Sequence, residues 1–336
     1  MLLPPPVLPP PPSRPLPATP MFGFHMPNFT FPGTPDDQIF DRVLELATGA
    51  ERVGFDVLTV MDHQYQIGGI GPEDDPMLEP YALLGALAAA TSRLMLGTLV
   101  TGVTYRNPAL LAKTVTTVDV ISKGRAVFGL GAAWNEDEHR GLGIEFPPLR
   151  ERFERLDEAL TIARLMFGQV PDGAGETDRP TFEGRHYRIE QVLNRPRPIR
   201  PGGPPILVGG GGEQKTLRLV ARHADWANWF GQIPDLQRKH ALLDGYCEEI
   251  GRDPASILRT VTVPLILVRS EAEGARVLEE IAPARRPPLP PGTPEQLAER
   301  VRAYLDAGFG GVIFRTARPT TPDWVEMAGE VIRLLR

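Results

Sequence analysis

The sequence predicts an α/β chain of the (β/α)8, or TIM-barrel, class, and three observations predict it. Eight short apolar runs alternate with eight stretches of helical periodicity. Three of the runs stop at proline or glycine, at Pro27, Gly131 and Gly209, as strand-to-helix turns do. One run, Ile206-Leu207-Val208, has no polar residue to alternate with and ends in four glycines, Gly209 to Gly212, as a strand buried on both faces requires. An open doubly wound sheet rarely carries that many repeats, so the barrel is the better solution.

The elements follow in order. Phe22 to Met26 reads as the first strand, stopping at Pro27-Asn28. Ile39, Val43, Leu46, Ala47, Ala50 and Val53 form one helical stripe that Gly54 closes. The second strand, Asp56 to Met61, ends at Asp62-His63, and a helix spans about 78–91. The third strand, Leu94 to Val100, precedes Asn107-Pro108, an N-cap with proline at the first helical position, and a helix to about Ser122. Ala126 to Leu130 is the fourth strand, and the fourth helix runs from Leu149 to Gly168. Residues 169–204 interrupt the rhythm with proline, glycine and charge, and contain one hairpin at 181–188. The glycine-ended run supplies the fifth strand, and a helix carrying Leu217, Val220 and Ala221 follows it. Asp225 to Trp229 and the helix 234–250 make the sixth unit, and Thr260 to Val268 is the seventh strand. Ser270 to Pro291 is a second insertion, helical in its first half. Thr293-Pro294 caps the helix to Ala307, Gly311 to Arg315 is the eighth strand, and Pro322 to Leu334 the last helix. Insertions are thus expected after the fourth helix and the seventh strand.

Composition bounds the function. The apolar fraction is 42%, enough for a large core, and no apolar run approaches a membrane span. The net charge of −6 argues against nucleic acid as a partner. The single cysteine, Cys247, allows no intramolecular disulfide and suits a reducing cytoplasm. The first twenty residues are half proline. They read as a disordered tail, with Met21 as an alternative start, leaving one barrel domain over 21–336.

Barrel sites lie where strands end and helices begin. That rule selects His25 and Asn28, Asp62 and His63, Thr98 to Thr104, Gly131 to Glu136, Gly209 to Gly212, and Asn228 to Phe230. None of the four lysines sits in a strand or at its end, which disfavours Schiff-base chemistry, and no His-x-His occurs to start a metal site. Among these strand ends are an anion clamp and an Asp-His pair. Backbone N–H groups at Gly209–Gly212, with the following helix dipole, suit a phosphate or carboxylate. The competing reading is a sharp turn that happens to be glycine-rich. A strand-end histidine beside a carboxylate, His63 by Asp62, can be fixed in one tautomer and pass a proton; it can equally do no more than bond a loop. His25 reads as a pocket-wall or core residue, and His139, His186, His223 and His240 as structural. The small strand ends suit a large, flat, phosphorylated cofactor, touching Thr98, Leu99 and Val100, then Gly131, Ala132 and Asn135, and then the glycines.

Several long stretches carry a resemblance that spans most of the chain from Met21: FGFHMPNFTFPG, GFDVLTVMDHQYQ, LGTLVTGVTYRNPALLAKTVTTVDVISKGRAVFGLGAAWNEDEHRGLG, FEGRHYRI and PPILVGGGGEQKTLRLVARHADWAN. Together they resemble the bacterial luciferase-like oxidoreductases, most closely the branch that uses the deazaflavin coenzyme F420. The resemblance implies a luciferase-like barrel, His63 as the acid/base beside the reactive ring, and a non-proline cis peptide near Leu99-Val100 behind it. It also implies that Gly209–Gly212 holds the cofactor phosphate, and that the chain forms a homodimer. The F420-dependent sugar-phosphate dehydrogenases carry a glutamate where this chain has Ala132, and a substrate-phosphate lysine where it has Ile233. A sugar phosphate is therefore not the expected substrate. Two other readings stay open: an FMN-dependent monooxygenase served by a flavin reductase, and a non-catalytic cofactor-binding barrel. A metal-dependent hydrolase is more distant.

Overall fold

The computed structural model describes residues 14–169, 179–281, 289–316 and 319–336, together with Leu8, Pro11 and Arg286. Its eight main strands are β1 (Met21–Met26), β2 (Val57–Val60), β3 (Met95–Thr98), β4 (Ala126–Gly131), β5 (Ile206–Gly209), β6 (Trp226–Trp229), β7 (Leu258–Leu265) and β8 (Gly311–Thr316). The helices are α1 (Ile39–Val53), α2 (Pro80–Ala90), α3 (Pro108–Ile121), α4 (Glu136–Leu142), α5 (Leu149–Met166), α6 (Thr216–His223), α7 (Ile233–Glu249), α8 (Glu271–Glu280), α9 (Pro294–Asp306) and α10 (Pro322–Leu335). The hydrogen-bonded order is β3-β2-β1-β8-β7-β6-β5-β4, with β3 also paired to β4 and a two-residue strand, Thr101–Gly102, beside β4. This is the strand order of a (β/α)8 barrel.

The chain gathers into two compact units, and β3 and β6 each begin in one and end in the other. The unit holding β1, β2, β7 and β8 is built on an aromatic cluster. Phe24 lies 5.7 Å from Phe55 and 5.4 Å from Trp324, and Phe314 lies 5.8 Å from Phe22, all between ring centroids. Phe22, Phe24 and Phe314 occupy one face of β1 and β8, so Gly23, His25, Ile313 and Arg315 occupy the other. In the unit holding β4 and β5, Phe128 meets Phe167 edge-on at 5.6 Å.

The expected caps are present. Asn107 Oδ1 accepts from the N–H groups of Ala109 and Leu110, Thr293 and Gln296 form a reciprocal capping box, and Gly54 closes α1 at φ 105°. Both expected insertions carry structure: the hairpin Phe182–Glu183 with Arg188–Ile189, and α8. The acidic run before His139 marks a helix start in the sequence, but α4 has no apolar stripe from which to read its span.

The proline-rich start needs a correction. Residues 1–7, 9, 10, 12 and 13 lie outside the described residues, but 14–20 do not. Arg14 Nη2 donates to the carbonyls of Gly202 and Gly203 at 2.9 and 2.8 Å, and its Nε lies 3.3 Å from Asp225 Oδ1. The last part of the expected disordered tail is therefore anchored.

Candidate functional site

In the unit holding β4 and β5, the site is organised around Val100. The Leu99–Val100 peptide bond is cis. The Val100 side chain fills the space over two strand ends: an ideal Cβ on Gly131 would lie 2.8 Å from its Cγ2, and one on Gly209 would lie 2.9 Å from its Cγ1. Both positions must be glycine for that packing. Leu99 and Val100 are half-buried, whereas Thr98 is fully buried. The Thr98 hydroxyl is 2.9 Å from that of Thr101 and donates to the Gly129 carbonyl at 3.2 Å. Of the expected cofactor contacts, Thr98 is corrected on this ground: it fixes the loop from inside.

Gly210, Gly211 and Gly212 are exposed, so their backbone is open to a ligand. Gly210 has φ 121°, a conformation that side-chain-bearing residues rarely adopt. An ideal Cβ on Gly211 would lie 2.7 Å from Lys239 Nζ, and one on Gly212 would lie 2.8 Å from Thr216 Oγ1. Lys239 is half-buried, and no described residue offers its ammonium a hydrogen bond or an ion pair. Its neighbour Arg238 forms an ion pair with Glu213, the residue after the glycines, tying α7 to the glycine turn. The glycine run thus has an unneutralised cation over it. The sequence reading passed over Lys239 because it lies within a helix; only its distance from Gly211 in space shows its place.

Ala132 and Asn135 stand beyond Gly131, and their carbonyls are already engaged. Arg152 donates to the Ala132 carbonyl at 3.3 Å. Asn135 caps α4, its Oδ1 accepting from Glu138 N at 3.3 Å. Its carbonyl accepts from His139 Nδ1, which leaves Nε2 to accept the Thr104 hydroxyl at 2.6 Å. His139 is fully buried and stacks on Tyr105 at 4.6 Å. It clamps the loop after β3 to the loop after β4.

In the unit holding β1, β2, β7 and β8, Asp62 is buried, with Gln64 Nε2 3.4 Å from its Oδ1, while His63 is half-buried. His25 is 4% exposed, and its Nδ1 is 3.0 Å from Thr59 Oγ1. Burial, helped by the charge of Arg315, pulls its pKa down to about 3, so it is neutral at physiological pH. Asn228 Nδ2 donates to Thr260 Oγ1 at 3.0 Å, and its Oδ1 accepts from Thr262 at 3.1 Å. Trp229 is fully buried, while Phe230 is exposed. Among the other histidines, His186 and His223 lie 2.9 and 2.7 Å from Glu154 and Asp157.

This fold and these strand ends define a barrel of one known class. The luciferase-like monooxygenase family model matches residues 21–288, and the chain belongs to that family. It is 30% identical over 327 residues to the F420-dependent glucose-6-phosphate dehydrogenase of Microbacterium testaceum (strain StLB037), covering 87% of this chain and 92% of that one. It is also 30% identical over 327 residues to the enzyme of the same name from Nakamurella multipartita, covering 87% and 91%. Among solved structures, an F420-dependent secondary alcohol dehydrogenase in complex with an F420-acetone adduct superposes with TM-score 0.77 at 18% identity, covering 95% of this chain and 99% of the other. EDTA monooxygenase from Chelativorans sp. BNC1 superposes with TM-score 0.78 at 18% identity, covering 94% and 93%. At that identity the two structures speak to the fold alone. Among the described residues, no helix is long and apolar enough to cross a membrane.

Proposed function

We propose that this protein is an F420-dependent oxidoreductase that transfers a hydride between the deazaflavin and a small organic substrate. The observation that carries the reading is the exposed glycine turn at Gly210–Gly212 with the unpartnered ammonium of Lys239 over it. Oriented backbone amides, a helix start and a fixed cation suit a phosphate ester. The relatives named as F420-dependent match along nearly their whole length, which supports the choice of cofactor.

When bound, F420 supplies a carbon centre that accepts or gives up a hydride. The chain's own residues do the rest. Gly209–Gly212 and Lys239 would hold the phosphate, and Val100, Leu99, Gly131, Ala132 and Asn135 would line the cofactor's place at the adjoining strand ends. His63 holds or moves the accompanying proton at an imidazole nitrogen, and buried Asp62 anchors that strand end. Ala132 and Ile233, in place of the sugar-phosphate enzymes' glutamate and lysine, argue against glucose 6-phosphate as the substrate. The proposed assembly is a cytoplasmic homodimer.

The test is an anaerobic fluorescence titration with F420 and, separately, with FMN. Selective micromolar binding of F420 is the expected result. With F420 bound, His63→Ala should reduce hydride transfer by about 100-fold or more while leaving affinity within a few-fold. Selective FMN binding would instead make the chain a monooxygenase dependent on a flavin reductase. Bound F420 with no loss in His63→Ala would remove the histidine from the chemistry.

A further inference from the structure

Arg315 is the next-to-last residue of β8, Gly311–Thr316, where a buried apolar strand meets the catalytic end of the barrel. In register it stands between His25 on β1 and Pro264 on β7. It shares the face of Gly23, His25 and Ile313, opposite the aromatic cluster of Phe22, Phe24 and Phe314. Its residue neighbours on that face are uncharged: His25 is held neutral, and Thr59 is engaged with His25. Arg315 is partly buried, its Nε is shut off from solvent, and that atom has no hydrogen-bond partner. No described carboxylate pairs with the guanidinium.

A second observation lies on the adjoining strand end. The segment leaving β1 carries another buried polar atom without a partner, the hydroxyl Thr30 Oγ1, which can donate to an anion. Native proteins leave few such atoms, and each of them needs an explanation. A guanidinium whose buried Nε has no acceptor is costly unless an anion completes it, and its planar fork matches a carboxylate or phosphate.

We infer that Arg315, with the Thr30 hydroxyl on the segment that leaves the neighbouring strand, is the site for an oxyanion of the substrate, so that the substrate of this enzyme carries a carboxylate or a phosphate. The inference rests on the oxidoreductase reading, to which it adds the substrate class. It gives the chain a cation on β8 in place of the lysine that Ile233 replaces. The neutrality of His25 is part of the arrangement, because a protonated imidazole there would repel Arg315.

The experiment is an anion titration followed by intrinsic tryptophan fluorescence and thermal melting, made on the protein saturated with F420 so that the glycine turn is filled. The probes are inorganic phosphate and acetate, with chloride at matched ionic strength as the control. The expected result is saturable binding of phosphate or acetate that chloride does not reproduce. Arg315→Gln should weaken it tenfold or more, Arg315→Lys should weaken it less, and F420 affinity should stay within threefold in both. No saturable anion binding by the F420-loaded protein would overturn the inference. So would equal binding in Arg315→Gln, or a tenfold loss of F420 affinity in Arg315→Lys, which would assign the guanidinium to the cofactor. Should Arg315→Gln fail to fold, the Arg315→Lys comparison decides. If the chain takes up no F420, the cofactor reading fails separately. The anion titration is then read on the chain alone, with Lys239→Gln silencing the glycine turn.

Discussion

His25 makes the fold less stable in acid. Its pKa falls from 6.5 to about 3 on folding, because burial disfavours the imidazolium and Arg315 adds like charge. The folded value lies below the unfolded one, so the unfolded chain takes up the proton first. The stability is whole above about pH 6.5 and is lost as pH falls towards 3. Between pH 7 and pH 5 the loss from this one residue is about 2 kcal/mol. Urea midpoints at both pH values, compared between the wild type and His25→Gln, should show a smaller acid loss in the variant. His223, also shifted down by burial, acts in the same direction but is common to both proteins. Equal losses would mean that His25 does not sense the pH. Lys239 makes the complementary prediction for binding. Removing one charge-assisted contact to a phosphate lowers affinity by about tenfold. Lys239→Ala should therefore weaken F420 binding by that factor in the fluorescence titration, and the loss should shrink as salt is raised.

At the scale of the element, the strand-to-helix junctions divide into those that stabilise and those that bind. Asn107 does the first, with one oxygen accepting from two N–H groups at the start of α3. Asn107→Ala should lower the unfolding free energy by about 1 kcal/mol without changing F420 affinity. On the proposed function, Gly209 does the second. A methyl group there meets Val100 within 2.9 Å, so Gly209→Ala must displace the cis-linked valine or the glycine turn. It should weaken the cofactor and cost about 1–3 kcal/mol of stability; unchanged affinity would separate Val100 from the cofactor site. These junctions also show what a sequence can reveal. Asn107, Thr293, Gly54 and the glycine run act on the backbone a few residues away, so their roles are readable from adjacent letters. Lys239 over Gly211 and Val100 over Gly131 and Gly209 depend on which strands and helices become neighbours, which local periodicity does not encode. Arg315 was visible as a strand end, but its lack of a partner is a fact about three dimensions.

At the scale of the whole chain, the first segment is the place where composition misleads. Proline excludes helix and interior strand, yet it does not prevent one side chain from being gripped. Arg14 donates to two carbonyls and faces Asp225, whose side chain is only 5% exposed. Its contact with Asp225 is between charges, since Arg14 Nε forms no directional hydrogen bond. An opposing effect is present. Arg164, 1% exposed, has its pKa lowered to about 10 chiefly by burial, with the charges of Arg252 and Arg14 pushing the same way against Asp225. Removing Arg14 would ease that repulsion while leaving the carbonyls of Gly202 and Gly203 and one face of Asp225 without their donor. Hydrogen bonds to a charged group contribute about 1.5–3 kcal/mol when buried and less at a partly exposed site such as this. The repulsion between guanidinium groups that all face one carboxylate is smaller, so anchoring should win by about 1 kcal/mol. A chain starting at Met21 should then melt about 2–4 °C below the full chain. Arg14→Ala in the full chain should reproduce most of that drop, which assigns it to the one side chain. Identical melting temperatures for all three proteins would show that the tail's grip adds nothing to the fold.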